Sequence, residues 1–333
     1  MRRRSLLSAS LGLGSLAGMA YLGATGVAKS ALEPQTGSAQ AFGTTVTIQV
    51  LHPNPLTAQT AIAEALQQVT LVDALMSVHQ PRSQVYQLNT QGQLQNPDPH
   101  LLAVLAYARH LSGETGGAFD ITVQPLWLAF SQAQASGQLP APQTLAQARA
   151  LVNWQGVTVQ ADQLTLAKPG MAITLNGLAQ GYAVDLALAA LRAKGMTHAL
   201  LDTGEFGAIG TKSGDQPWVL GIKNPRQTDA LAARVALDGR ALATSGDYET
   251  SFSPDFSHHH IFDPATGDSP STLASVTVLA PTGLMADGLS TAFMVLGANK
   301  ALELAASLPH VDALLIHKDG RQQKTAHFPE LSA

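Results

Sequence analysis

Apolar and polar positions alternate through Thr44-Thr45-Val46-Thr47-Ile48-Gln49-Val50, and the β-branched content predicts a strand, entered at Phe42-Gly43 and ended by Pro53 and Pro55. From Thr57 the period changes: Ile62, Leu66, Val69, Val72 and Met76 fall on one helical face. Residues 101–112 form a second apolar helical run ending at Gly113, residues 132–143 a polar loop with two prolines, and residues 145–152 a short helix. Residues 157–160 and 163–166 flank Ala161-Asp162 in the pattern of a hairpin. Ile173-Thr174-Leu175 reads as a strand entering a glycine-bearing turn and leaving as a helix through Leu186, Leu188 and Leu191. Strands are then expected at residues 199–201, 218–222, 241–243, 275–279 and 311–317, with helices from near Asp287 and over 301–308. This irregular alternation, with several hairpins, predicts an α+β fold of mostly antiparallel sheets flanked by helices, not a doubly wound parallel one.

Composition adds limits. The chain has 333 residues and a formal charge of −4, without a basic stripe or a run of like charges, so nucleic acid is not an expected partner. It has no cysteine, which excludes disulfides, thiolate metal sites and a lipid-modified cysteine. At the N-terminus, Arg2-Arg3-Arg4-Ser5-Leu6-Leu7 precedes an uncharged, weakly apolar run ending in Gly26-Val27-Ala28. With Arg3-Arg4 as the pair, residues 1–28 read as a twin-arginine type signal, the alternative being an uncleaved membrane anchor. Cleavage removes three arginines and no acids, taking the charge from −4 to −7. The expected product is a periplasmic protein with a linker over 29–40 and one domain over 41–328.

Few stretches carry chemistry. If a helix begins near Asp287, its carboxylate and the Thr291 hydroxyl lie four residues apart on one face. Two hard oxygen donors suit Mg²⁺ better than zinc or copper. The same residues also read as a helix cap and a space-filling threonine. The turn through Gly177 and Gly181 meets a helix start, where backbone N–H groups suit phosphate, in a spacing that is neither the P-loop nor G-x-G-x-x-G. Gly116-Gly117 before Phe119-Asp120 allows close backbone approach to a flat or charged group, or merely a tight turn. Of His258-His259-His260, only alternate side chains would share a face on a strand, which argues against zinc.

Several motifs in order resemble the ApbE family of FAD:protein FMN transferases, from about Gly43 to Leu315. They are Gly43-Thr44, Met76-Ser77 with Ser83 and Asn89, Gly117-Ala118-Phe119-Asp120-Ile121-Thr122 with Pro125-Leu126, Gly181-Tyr182-Ala183-Val184-Asp185, Thr244-Ser245-Gly246-Asp247-Tyr248, His260-Ile261 with Asp263-Pro264, and Ala286-Asp287 with Leu289-Ser290-Thr291. The resemblance implies the ApbE-like fold and transfer of FMN from FAD to a Ser or Thr hydroxyl of a membrane-bound or periplasmic redox protein, releasing AMP. It implies Mg²⁺ on Asp287, Thr291 and a backbone carbonyl near Ala179. His260 would handle the acceptor proton or orient the flavin phosphate; Asp263 would orient His260 or close the turn before Pro264. Met76, Ser77, Asn89, Phe119, Asp120, Gly181, Glu205, Thr244, Ser245, Gly246 and His260 would contact FAD, while Tyr182 and Asp185 hold the turn. The signal and the missing lipid cysteine resemble the exported NosX-type members. Three positions depart from the family pattern: Gln180 replaces a lysine, Glu205 an aspartate and Gly288 an alanine. Loss of the lysine leaves open an FAD carrier without transfer, and hydrolysis of FAD to FMN and AMP is a third possibility.

Overall fold

The computed structural model describes residues 32–212 and 214–331, so the signal expected over 1–28 lies outside it. Most of the expected linker is instead a strand. β1 (Glu33–Ala41) pairs antiparallel with β2 (Thr44–His52) over their whole length. Phe42 and Gly43, expected to open a strand, form the two-residue hairpin turn between them, with φ of 53° and 73°. The inward row of β1 includes Gly37, Ala39 and Ala41, and a Cβ on Gly37 would collide with Ile62 of α1 (Pro55–Met76). A strand whose inner row is this small has no apolar alternation to read. α1 starts two residues earlier than the periodicity suggests, because Asn54 caps it through the Thr57 N–H and Pro55 takes the first position.

The next elements form a lobe: α2 (Gln84–Gln91), β3 (Gln93–Gln95), α3 (Pro99–Glu114), α4 (Gln124–Gln134), α5 (Pro142–Arg149) and the expected hairpin, β4 (Val157–Val159) with β5 (Gln163–Leu166). β3, β5 and β4 make a small sheet. Residues 171–175 form no strand. Their backbone bonds go elsewhere: Ile173 exchanges two hydrogen bonds with the Asn89 amide, and Thr174 N–H donates to the Ile121 carbonyl.

The chain continues through α6 (Ala179–Ala193), β6 (Ala199–Asp202), β7 (Phe206–Ile209), β8 (Val219–Asn224), β9 (Gln227–Ala236), β10 (Ala241–Gly246), β11 (Leu273–Ala280), α7 (Gly283–Leu296), α8 (Ala298–Ser307), β12 (Asp312–His317) and β13 (Gln322–Lys324). The main sheet has the order β1-β2-β6-β7-β10-β11-β12-β13, antiparallel throughout. α1, α6 and α7 cover one face over Val46, Ile48, Val184, Leu191, Val276, Val278 and Phe293. The β8–β9 hairpin covers the other, with Trp218, Ile222 and Val235 against Leu242, Leu279, Leu314 and Ile316. β11 is buried on both faces, so the polar Ser275 and Thr277 are interior as well. The α+β expectation holds. Its consequence for chemistry is the meeting of three ends: the end of β10 and the starts of α6 and α7.

Candidate active site

α7 begins at Gly283, capped by Thr282 through the Met285 N–H, so Asp287 is neither its first residue nor its cap. The Asp287 carboxylate instead accepts the Gly181 N–H (3.0 Å) in the first turn of α6. The relation is reciprocal, since Asp185 of α6 accepts the N–H groups of Gly283 (2.6 Å) and Leu284 (2.9 Å) at the start of α7. Each carboxylate satisfies N–H groups that a helix start leaves unpaired. Two glycines permit the approach: a Cβ on Gly181 would run into the Gly283 carbonyl, and one on Gly283 into that of Gly181. Asp185, read from sequence as holding the glycine-bearing turn, instead bonds the start of α7 across the helix crossing.

Asp287 and Glu205 form a buried acidic pair. Burial, then the charge of Asp185, raises the Asp287 carboxyl to about 7 against the opposing Gly181 N–H bond. Burial and the charge of Asp287 push Glu205 well above the usual carboxylate range, although its Oε2 accepts the Thr244 N–H (3.0 Å). No cationic side chain contributes to either among the described residues. One turn beyond Asp287, three hydroxyls gather: Ser245 Oγ lies 2.8 Å from Ser290 Oγ and 3.1 Å from Thr291 Oγ1. Gly177 lies beneath them, where a Cβ would stand 2.7 Å from Thr291 Oγ1. No group of three His, Cys, Asp or Glu side chains suited to a metal is assembled among the described residues. A cation here would therefore rest on one carboxylate with hydroxyl, carbonyl and substrate oxygens. That donor set fits Mg²⁺, and uncompensated buried carboxylates favour a divalent ion. Ala179, proposed to offer its carbonyl, is the first residue of α6, within the same turn as Gly181.

Gln180 has a definite structural role. Its amide donates to the Thr203 carbonyl, and the turn 203–205 closes through Thr203 N–H to Glu205 O (2.9 Å). Gly204, with φ of 97°, leaves the space that the Gln180 amide occupies. The departures at Gln180 and Glu205 are thus neighbours in one clip between α6 and β10.

Other expected residues spread over the end of α1, the lobe and β10. Met76 and Phe119 lie in the core. Ser77 accepts the N–H groups of His79 and Gln80, and its carbonyl receives the Ser83 hydroxyl. Asn89 spends both amide atoms on Ile173. Asp120 accepts from Thr122 N–H and Oγ1 and from Trp154 N–H, bonds that oppose the rise burial causes in its carboxyl. Thr244 Oγ1 meets Thr277 Oγ1 at 2.8 Å. Gly246 packs against the Tyr248 ring, where a side chain would collide.

Beyond Gly246 the chain forms a folded loop carrying His260. The three histidines point to different partners: His258 to Asp268 (2.7 Å), the buried His259 to the Pro270 carbonyl (3.2 Å), and His260 Nδ1 to the Thr250 carbonyl (3.3 Å). Asp263 accepts the Ala265 N–H (2.8 Å) across the turn at Pro264. Sequence reasoning missed Ser290, which joins Ser245 to the carbonyl of Asp287, and Arg226, which reaches Asp247. Ser290 could have been found from its place beside Thr291; Arg226 carried no signal beyond its turn.

A model of the ApbE family matches residues 42–315. The chain is 32% identical over 299 residues to the FAD:protein FMN transferase of Haemophilus influenzae, covering 85% of this chain and 86% of that protein. It is 34% identical over 252 residues to the FAD:protein FMN transferase of Treponema pallidum, covering 69% and 68%. Its fold is similar to the crystal structure of the ApbE protein from Thermotoga maritima, with a TM-score of 0.79, 28% identity and coverage of 89% of this chain and 98% of that one. The flavin transferase ApbE from Vibrio cholerae is similar at a TM-score of 0.77 and 26% identity, over 90% of this chain and 100% of that one.

Proposed function

Because the chain belongs to the ApbE family, we propose that it works as an FAD:protein FMN transferase, moving FMN from FAD onto a Ser or Thr hydroxyl of a partner protein with release of AMP. The observation that carries the reading is the uncompensated pair of buried carboxylates, Asp287 and Glu205, beside the Ser245–Ser290–Thr291 hydroxyls. Asp287 and Thr291, with the Ala179 carbonyl, would hold Mg²⁺. Bound there, the ion would screen the pyrophosphate and stabilise charge developing on the leaving phosphate.

The chain's own groups supply position and proton handling. The reciprocal caps fix the starts of α6 and α7 against each other, and the Gln180 clip fixes Glu205 against Thr244. His260 is assigned the acceptor proton. Its Nδ1 lies 3.3 Å from the Thr250 carbonyl, and a neutral imidazole is the natural base near pH 7. The acceptor would be a membrane-bound or periplasmic redox protein, reached by twin-arginine export, which the Arg3-Arg4 pair supports.

Incubation with FAD, Mg²⁺ and a Ser/Thr-bearing acceptor, followed by mass spectrometry, tests the reading. Covalent FMN on the acceptor with matching AMP is the expected result. Tight FAD binding with an unmodified acceptor would make the protein a carrier, and AMP release without acceptor modification would make it an FAD hydrolase.

A further inference from the structure

We propose that Arg226 and Lys318 are positioning residues for His260, acting through a clasp on Asp247 and Phe256; the proposal rests on the role assigned to His260 above. The loop from Asp247 to His260 is a closed unit. Ser251 and His259 bridge, Phe252 N–H donates to His258 O (2.7 Å), and His260 N–H donates to Thr250 O (3.0 Å). His260 is thereby tied to Thr250, on the opposite arm of the loop. At the tip, Asp255 binds Ser253 and Ser257, and Phe256 takes a left-handed φ of 59°. A non-glycine residue holds that conformation only when its surroundings favour it.

The surroundings come from two remote turns. Arg226, at the tip of the β8–β9 hairpin, forks onto the fully buried Asp247 carboxylate at 2.8 and 2.7 Å and lays its guanidinium 4.6 Å from the Phe256 ring centroid. Lys318, in the β12–β13 turn, donates to the Phe256 carbonyl (2.7 Å) and stands 3.7 Å from the same carboxylate. Asp247 directly follows Gly246, so the cations tie the loop's first residue to its tip. The pairing is charge-assisted and bidentate, which fixes direction as well as distance. At its base the loop is anchored independently, by Phe252 against Phe130 of α4 and by His259, whose backbone N–H donates to Ser269 Oγ (2.7 Å) and whose carbonyl accepts from it (2.6 Å). That anchor stops short of the tip, whose placement is left to the clasp.

The test uses the full chain and the FMN-transfer assay. F256L keeps the ion pair and removes the ring; R226K keeps a cation on Asp247 and loses the fork. Both are expected to lower kcat at least about fivefold, with a smaller change in KM for FAD, about twofold, because a displaced His260 acts first on the acceptor proton. Hydrogen–deuterium exchange at the Phe252 and His260 amides should quicken in both. In an H260A background, F256L should have no further effect on rate. Unchanged kcat in F256L and R226K beside a slow H260A overturns the clasp, as does a rate loss that persists in H260A. An H260A protein that transfers at the parental rate overturns the assignment of His260 instead.

Discussion

Where α6 meets α7, backbone touches backbone: Gly181 and Gly283 leave no room for a Cβ, and Asp185 and Asp287 each bond the other helix's start. The loop carrying His260 is held by side chains instead, by Arg226 and Lys318 at its tip and an aromatic cluster at its base. The first arrangement has no give, since a backbone contact cannot change rotamer. The second degrades by steps, one contact at a time. A rigid crossing suits a fixed carboxylate proposed to hold a cation. An adjustable loop suits a residue proposed to meet a partner protein.

The largest effect is expected where the crossing is tightest. In G181A the new Cβ would meet the Gly283 carbonyl and lie 2.7 Å from Asp287 Cβ, so the helices must part. Loss of at least about 3 kcal/mol and a fall in transfer of about 100-fold or more are expected, by urea unfolding and the acceptor assay. A G181A protein near parental in both would show that the crossing has slack after all.

The loop half should be the part that acid weakens. His259 is fully buried, and burial drives its imidazole from 6.5 to about 3. Its folded pKa lies below the unfolded one, so its stabilising share is complete above pH 6.5 and is lost as pH falls toward 3. About 3 kcal/mol should disappear by pH 4, and H259Q should flatten that slope in unfolding measured between pH 7 and 4. Asp185 at the crossing runs the other way: burial raises its carboxyl, so its share favours the fold in acid and is lost as pH rises.

A smaller change is expected from D185N, which keeps one acceptor for the start of α7 but removes the charge and one bond. About 1 kcal/mol of stability should go. The smallest concerns Gly288. A Cβ there would press on Leu111 and Leu178 side chains at 2.8 and 2.9 Å, a cost that helix propensity partly offsets. G288A should shift stability by less than about 1 kcal/mol, readable as a small change in Tm.

The sequence showed most elements that bury an alternating or helical row, including α1, β2, β10, β11 and α7. It hid β1, whose inner row includes Gly37, Ala39 and Ala41, and it suggested a strand at 173–175 where the Asn89 amide takes the Ile173 backbone bonds. At the site, Asp287 and Thr291 stood out as a motif, but the helix start was misplaced by four residues because Thr282, not Asp287, is the cap. Gly181 and Gly283 gave no local sign of their contact, since their partners are far apart in the chain. Gln180 looked like a missing charge and is a clip on Thr203. Arg226 and Asp247 meet only because the hairpin folds over the sheet.

The proposed chemistry depends most on a cation held at Asp287. The direct measurement is FMN transfer to the acceptor, followed by mass spectrometry across a Mg²⁺ titration, in the parent and in D287N. D287N retains an oxygen for the Gly181 N–H and removes the buried charge, so it should fold with unchanged or higher cation-free stability. The expected result is Mg²⁺-dependent transfer in the parent and a loss of at least about 100-fold in D287N that added Mg²⁺ does not restore. Parental transfer by D287N, with the same Mg²⁺ dependence, would contradict it.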